Sequence, residues 1–180
     1  NAAARAWSER FFRNIEPIVR HAEQLGLVIC LENPGDGSDN LINTAADGIA
    51  LLDRLDHPNL RLNYDAANTL SHRPPGRPGG VMPTDDALLA MPYCGHVHIK
   101  DAKLTPEGYI FTPLGEGDIG CDRIVQAIAS TDINLAVELP LRLHRAPDAR
   151  PVRKPIPVPL PEIESVVRAA LAFVRCHLEI

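Results

Sequence analysis

The chain has 180 residues, of which 45% are hydrophobic and 23% are charged, and its formal net charge is −5. These values fit one globular domain with a substantial core, so we predict a single domain over residues 1–180. Scattered basic residues argue against a nucleic-acid partner, and apolar runs far below the ~20 residues of a membrane span, with no signal-peptide pattern, predict a cytoplasmic protein with no membrane partner.

Helices and strands are predicted to alternate along the chain. Apolar residues that recur every three or four positions indicate amphipathic helices, and short continuous apolar runs indicate strands buried on both faces. In chain order, the predicted elements are a helix at 2–25, a strand at 27–31, a helix at 41–55, a strand at 60–64, a loop at 71–80, a helix at 84–91, a strand at 95–99, a loop before 121, a helix at 121–130, a strand at 134–137, a loop at 141–161 and a helix at 162–176. Gly26 is predicted to end the first helix, and Thr84 to cap the third.

This order, α-(βα)4, implies right-handed crossovers and a parallel sheet in an α/β fold. Two architectures fit it: a doubly wound open sheet and a segment of a (βα)8 TIM barrel. Polar residues at all four strand ends favour the barrel, because barrel enzymes place their sites there. Four strands do not close a barrel. The missing half therefore lies outside this chain, or the fragment pairs with something, as in a homo-oligomer.

The four polar strand-end residues are Glu32, Asp65, His98 and Glu138, at intervals of 33, 33 and 40 residues. Three carboxylates and an imidazole that converge at one rim repel one another unless a cation neutralises them. Their recurrence weakens the alternative that each acid only caps a helix. Oxygen-rich ligation with one nitrogen suits Mn²⁺, Mg²⁺, Co²⁺ or Zn²⁺; the residues alone do not choose, and we place Mn²⁺ first.

Two histidines compete for the third strand end. His96 and His98 point to the same face because side chains alternate along a strand. His98 lies nearer the carboxyl-terminal rim and is the better ligand candidate. His96 is then a deeper core residue or a residue that supports the metal ligands from behind.

Several motifs resemble one known family. They are CLENPGDG around Glu32, LNYDAANTL around Asp65, HVHIKDAK around His98, LGEGDIG around Glu116 and AVELP around Glu138. The chain resembles the carboxyl-terminal half, strands five to eight, of the xylose isomerase-like TIM barrels. That family includes sugar phosphate isomerases and epimerases, inosose dehydratases, hydroxypyruvate isomerases and endonuclease IV.

The resemblance implies metal-assisted proton transfer through an enediolate on a sugar or sugar-acid substrate. Glu32 and Glu138 would be both metal ligands and the acid/base pair on opposite faces of the substrate. The main hypothesis is therefore a divalent-metal-dependent isomerase or epimerase of carbohydrate metabolism. A metal-dependent dehydratase of the inosose or dehydroshikimate type is the first alternative. A non-catalytic half-barrel that needs a partner is the second.

Further residues are expected around this centre. Asn68 suits a hydrogen bond to a substrate hydroxyl, although a turn-initiating amide is equally compatible with its position. Arg142 and Arg145 follow Glu138 on the last loop, where a guanidinium could clamp a phosphate or carboxylate. The expected substrate-binding residues are Asn68, Lys100, Arg142 and Arg145. The residues expected to support the metal ligands from behind are His96, Asp101 and Glu116. For Glu116, capping of the helix that starts near Gly120 is the alternative.

The chain departs from endonuclease IV in the ligands of the three-metal cluster. Asn68 stands where that enzyme has a histidine three residues after the strand-six aspartate. The stretch 104–113, LTPEGYIFTP, lacks the second Asp/His pair. Together with the acidic net charge, these departures argue against DNA repair.

Overall fold

The computed structural model describes residues 2–37 and 40–178. Its elements are, in order, α1 Ala2–Gln24, β1 Ile29–Glu32, α2 Ala45–Leu55, β2 Leu60–Asp65, a 3-10 helix Ala66–Ser71, α3 Pro83–Ala90, a 3-10 turn Met91–Tyr93, β3 Cys94–Ile99, β4 Asp101–Thr105, β5 Gly108–Thr112, α4 Cys121–Ile128, β6 Asn134–Val137, β7 Leu143–Arg145, β8 Pro151–Arg153 and α5 Leu160–His177.

The main sheet has four parallel strands in the order β1-β2-β3-β6. The predicted α/β fold, with four helix-linked parallel strands, is confirmed. The strands form because short β-branched and aliphatic runs fit a pleated surface that helices cover. Side chains on the covered face are almost fully buried, as Leu62, Tyr64, Val97 and Ile99 show.

β1 differs from the strand predicted at 27–31. It starts at Ile29, while Leu27 and Val28 are 55% and 52% exposed. The expectation of burial on both faces is wrong for this strand. β1 lies at an edge of the sheet, and helices cover only one face of the sheet.

A second, antiparallel sheet of order β4-β5-β7-β8 was not predicted. It occupies the segments predicted as loops, before residue 121 and at 141–161. In 141–161, the many proline and arginine residues obscured the short strands. The loop predicted at 71–80 is irregular beyond Ser71, as expected.

Two helix starts carry different caps. At α2, Thr44 and Asp47 form a capping box: the Asp47 amide donates to the Thr44 hydroxyl oxygen, and the Thr44 amide donates to the Asp47 carboxylate. At α3, the predicted cap is wrong. The helix begins at Pro83, and the Thr84 hydroxyl donates instead to the Ile119 carbonyl.

In the ranges 2–37 and 40–178, none of the helices has the length and apolar character that a bilayer span requires. The cytoplasmic location stays a prediction. The extension of a single domain over residues 1–180 also stays a prediction, although α5 buries Ala170 and Val174 against the main core.

Candidate metal centre

The carboxyl ends of β1, β2, β3 and β6 meet at one rim of the parallel sheet. Asp65 stands opposite His98 in the β2–β3 register, and the Glu138 amide extends the β3–β6 pairing through a 2.9 Å bond to the Ile99 carbonyl. Each of Glu32, Asp65, His98 and Glu138 offers one ligand atom, and these four atoms lie within 4.8 Å of one another. The structure thus brings together the four residues predicted as ligands.

His98 lies between the two glutamates. Its Nδ1 is 3.3 Å from Glu32 Oε1 and 3.2 Å from Glu138 Oε1. The side chains of Glu32 and Glu138 are 36% and 39% exposed, whereas Asp65 is fully buried. A ligand that enters the site therefore meets the two glutamates first, with Asp65 beneath them.

Lys100 joins two of the carboxylates from the buried side. Its Nζ lies 2.8 Å from Asp65 Oδ2 and 2.8 Å from Glu138 Oε2, and it donates to Asn68 Oδ1 at 3.0 Å. Burial acts to lower the pKa of Lys100, but the attraction of Asp65 and Glu138 outweighs it and raises that pKa. The ammonium therefore stays charged and offsets part of the negative charge at the rim.

The two carboxylates beside Lys100 respond differently. Burial raises the pKa of Asp65 to about 6, although Lys100 acts in the opposite direction. Partial burial also acts to raise the pKa of Glu138, but the hydrogen bond and charge of Lys100 outweigh it and lower that pKa. Glu138 is therefore ionised at neutral pH, whereas Asp65 becomes protonated in weakly acidic solution, below about pH 6.

Two asparagines that were not predicted hold the strand ends together. Asn33 is fully buried and makes reciprocal 2.9 Å bonds with the backbone amide and carbonyl of Asp65. Asn63 donates to Glu32 Oε2 at 3.3 Å, and its Nδ2 lies 3.2 Å from His98 Nε2. Its own Oδ1 is buried and has no hydrogen-bond partner in the part of the chain that the structure describes. The sequence did contain a signal for Asn63. Side chains alternate along the strand segment LNYD, so Asn63 lies on the same face as Asp65.

Asn68 is placed by the 3-10 helix that follows β2. Asp65 Oδ1 accepts from the amides of Ala67 and Asn68 and so caps this helix. The Asn68 Nδ2 donates to the Asn33 carbonyl at 2.9 Å and to Glu32 Oε1 at 3.4 Å. A Cβ at Gly35 would lie 2.2 Å from Asn68 Oδ1, so a glycine is needed there for Asn68 to reach the site.

The three residues expected to support the metal ligands have different surroundings. The His96 ring packs edge-on against the His98 ring, with centroids 5.3 Å apart. Asp101 is buried and accepts hydrogen bonds from the Gly115 and Gly117 amides at 2.9 and 3.0 Å, so it organises the 115–119 turn. Glu116 is exposed in that turn, and α4 starts at a Gly120 cap without a side-chain hydrogen bond.

The two arginines expected to bind substrate also lie apart. Arg142 donates to the Lys154 and Pro155 carbonyls, which holds it against the chain that follows β8. Arg145 instead lines a cleft of about 340 Å³ that also contains Glu32 and Glu138. The structure therefore brings Arg145 to the site and Arg142 to a different surface.

The donor set fits a divalent cation. Metal–ligand bonds of about 2.0–2.2 Å hold donors no more than about 4.4 Å apart, close to the spacing of these four atoms. Lys100 contributes one positive charge against the three carboxylates, so the cluster keeps a net negative charge. One imidazole and three carboxylates therefore form an acidic cluster suited to a metal ion.

The sequence profile of the xylose isomerase-like TIM barrel family matches residues 2–156. The chain belongs to this family. The family assignment inferred from the motifs is confirmed. Among curated proteins, none matches the chain in sequence.

Solved structures share the fold at low sequence identity. A xylose isomerase-like TIM barrel protein from Mycobacterium smegmatis, in complex with magnesium, has a TM-score of 0.70 at 18% identity over 97% of this chain and 51% of its own. D-Psicose 3-epimerase from Clostridium cellulolyticum H10 has a TM-score of 0.69 at 21% identity, over 95% of this chain and 56% of its own. The probable 3-DHS dehydratase from Bacillus anthracis has a TM-score of 0.56 at 24% identity, over 72% of this chain and 49% of its own. The chain spans about half the length of these proteins, as a half-barrel does.

Proposed function

We propose that this chain supplies the metal and proton-transfer site of a divalent-metal-dependent isomerase or epimerase acting on a sugar or sugar acid. The convergence of Glu32, Asp65, His98 and Glu138 within 4.8 Å carries this proposal. A structural role alone does not account for three carboxylates at one rim, because like charges close together are costly without a compensating cation. Mn²⁺ is the ion we propose first, with Mg²⁺, Co²⁺ and Zn²⁺ as alternatives.

The proposed acid/base pair is Glu32 and Glu138. Both carboxylates face the cleft, and they approach His98 Nδ1 from two sides. Lys100 keeps Glu138 ionised and ready to accept a proton, while Asn63 and Asn68 orient the two oxygens of Glu32. A substrate carbon held between the two carboxylates can lose a proton to one and gain a proton from the other.

A bound divalent cation supplies Lewis-acid stabilisation of the negative charge that develops on substrate oxygens. The chain's own residues position the two proposed acid/base carboxylates. Asn68 donates to Glu32, and Lys100 donates to Glu138, so each carboxylate has a hydrogen-bond donor beside it. Fixed donors of this kind need no reorganisation as charge develops.

The substrate pocket is proposed to need further strands. The sheet's inner face is open, and β1 and β6 form its two edges. A second copy of this chain, or the other half of a barrel in a longer protein, would wall the cleft on that side. Without such a partner, we expect metal binding with little turnover.

The decisive experiment compares metal content in wild type, Glu32→Gln/Glu138→Gln, and the control Glu107→Gln/Glu164→Gln, which removes two exposed acids outside the four-residue cluster. After Mn²⁺ loading, we expect about one ion per chain in wild type and control, and at least a hundredfold weaker binding in the test variant. Equal metal content in all three proteins would overturn the proposal.

Reaction class is tested next in D₂O with a panel of ketoses and sugar acids. Isomerisation or epimerisation conserves mass apart from one exchanged deuterium at the reacting carbon. A dehydratase uses the same proton removal but releases a hydroxyl, so its product lacks one water. The similarity to the probable 3-DHS dehydratase makes this the alternative to exclude.

A further inference from the structure

Two cations line the cleft, and they differ in what neutralises them. Lys100 has carboxylate oxygens of Asp65 and Glu138 at 2.8 Å each. Arg145 makes no ion pair within 4.0 Å in the described part of the chain. Its positive charge is therefore unmatched at a place that a ligand can reach.

The hairpin β7–β8 holds the Arg145 guanidinium at one nitrogen. Its Nη1 donates to the Ala149 carbonyl at 3.1 Å, and Ala149 itself adopts a left-handed backbone, φ 61°, that closes the turn. The Arg145 Nε is buried and has no hydrogen-bond partner among the described residues. A buried donor without an acceptor is energetically unfavourable, and an acceptor that reaches it removes this penalty.

The position of Arg145 relates this unpaired donor to the acidic centre. Leu143 and Arg145 share one face of β7, and both line the cleft together with Phe111 and Glu138. Phe111 also places its ring 5.5 Å from Lys100 Nζ. The cleft thus combines a cationic group, an aromatic and aliphatic lining, and the two proposed acid/base carboxylates.

We propose that Arg145 binds an anionic group of the substrate, so that the substrate class is a sugar acid or sugar phosphate and not a neutral sugar. A planar guanidinium recognises carboxylate and phosphate oxygens through the same forked hydrogen bonds. This inference rests on the proposed function only in taking the cleft as the substrate site.

The test follows the ¹⁵N-labelled Arg145 Nε–H resonance, assigned by its loss in Arg145→Gln, during titration of the metal-free chain with inorganic phosphate and, separately, with acetate. We expect a saturable shift, and calorimetry should show at least tenfold weaker binding of the same anion to Arg145→Gln. The tighter anion identifies the group: phosphate for a sugar phosphate, acetate for a sugar acid. Arg142→Gln is the matched control and should bind like wild type.

No shift with either anion, or equal anion binding in wild type and Arg145→Gln, would overturn the assignment. Because the titration uses metal-free protein, its outcome is independent of the metal experiment. A chain that binds phosphate at Arg145 but retains no Mn²⁺ refutes the proposed function alone. A chain that binds Mn²⁺ through Glu32 and Glu138 but ignores both anions refutes the anion site alone.

Discussion

The two faces of the parallel sheet have opposite character. On the helix-covered face, Leu62 and Ile99 are 0% and 1% exposed. On the inner face, Arg61 and His96 are only partly buried and line an open cleft. The covered face is thus a complete hydrophobic core, while the inner face carries the polar groups of the site. The apolar core and the candidate metal cluster therefore lie on opposite sides of the same four strands.

The largest effect should come from the covered face. Leu62→Ala removes a fully buried side chain and should lower the free energy of unfolding by about 3 kcal/mol, measured by urea denaturation. Metal content per folded chain should not change. Leu160→Ala, at a position 67% exposed, should change the unfolding free energy by less than about 0.5 kcal/mol. Loss of metal binding in folded Leu62→Ala would contradict this separation of the faces.

Lys100 should affect both stability and metal binding. Lys100→Met leaves Asp65 buried without its ammonium, which should cost about 2 kcal/mol in the metal-free protein at neutral pH. Added Mg²⁺ should recover part of this loss, because a cation again neutralises the carboxylates. Thermal denaturation with and without Mg²⁺ measures both effects. Lys103→Met, at an exposed position, serves as the control, and an equal loss there would refute the explanation.

Metal binding should weaken in mild acid. Asp65 must lose its proton to act as a ligand, and burial raises its pKa to about 6, so affinity should fall roughly tenfold per pH unit below 6. The stability of the metal-free fold responds to pH in the opposite direction. Because the folded pKa lies above the unfolded value of 3.8, protonation of Asp65 stabilises the metal-free fold at low pH, and this contribution is lost as pH rises through about 6.

Asp65→Asn tests that pH dependence. The amide resembles the protonated carboxyl, so the variant should lack this part of the pH dependence of the unfolding free energy. Calorimetric unfolding between pH 4 and 7 provides the comparison. An unchanged pH profile in Asp65→Asn would show that another group is responsible.

The smallest effect concerns the helix layer. Thr44→Ala removes the capping box of α2 and should cost about 1 kcal/mol in unfolding free energy, without change in metal affinity. Thr44→Ser keeps the capping hydroxyl and should cost much less. If the serine variant is as unstable as the alanine variant, the cap is not the cause.

The strand ends were predictable because buried apolar runs and polar ends recur at a regular interval. Glu32, Asp65 and Glu138 follow those runs directly, His98 lies one residue before the end of β3, and parallel strands bring their ends to one rim. The surroundings of Asn33 and Asn63 were not predictable, because their hydrogen bonds join different strands.

The second sheet was beyond what local pattern shows. β7 and β8 have three residues each, and they form through pairing, β7 with β5 and β8 with β7, rather than through their own composition. For the same reason, the sequence could not separate Arg142 from Arg145. One lies just before β7 and the other ends it, and only the hairpin geometry sends them to different surfaces.

The division of the cleft between two sheets has a consequence for redesign. The parallel sheet contributes the acidic cluster, whereas the antiparallel sheet contributes Phe111, Leu143 and Arg145. These strands lie in two short segments, so a library confined to residues 108–112 and 143–153 would vary the side chains of the antiparallel sheet while leaving the acidic cluster intact. Under the proposed function, such a library would alter which substrates bind without changing the four residues proposed as metal ligands.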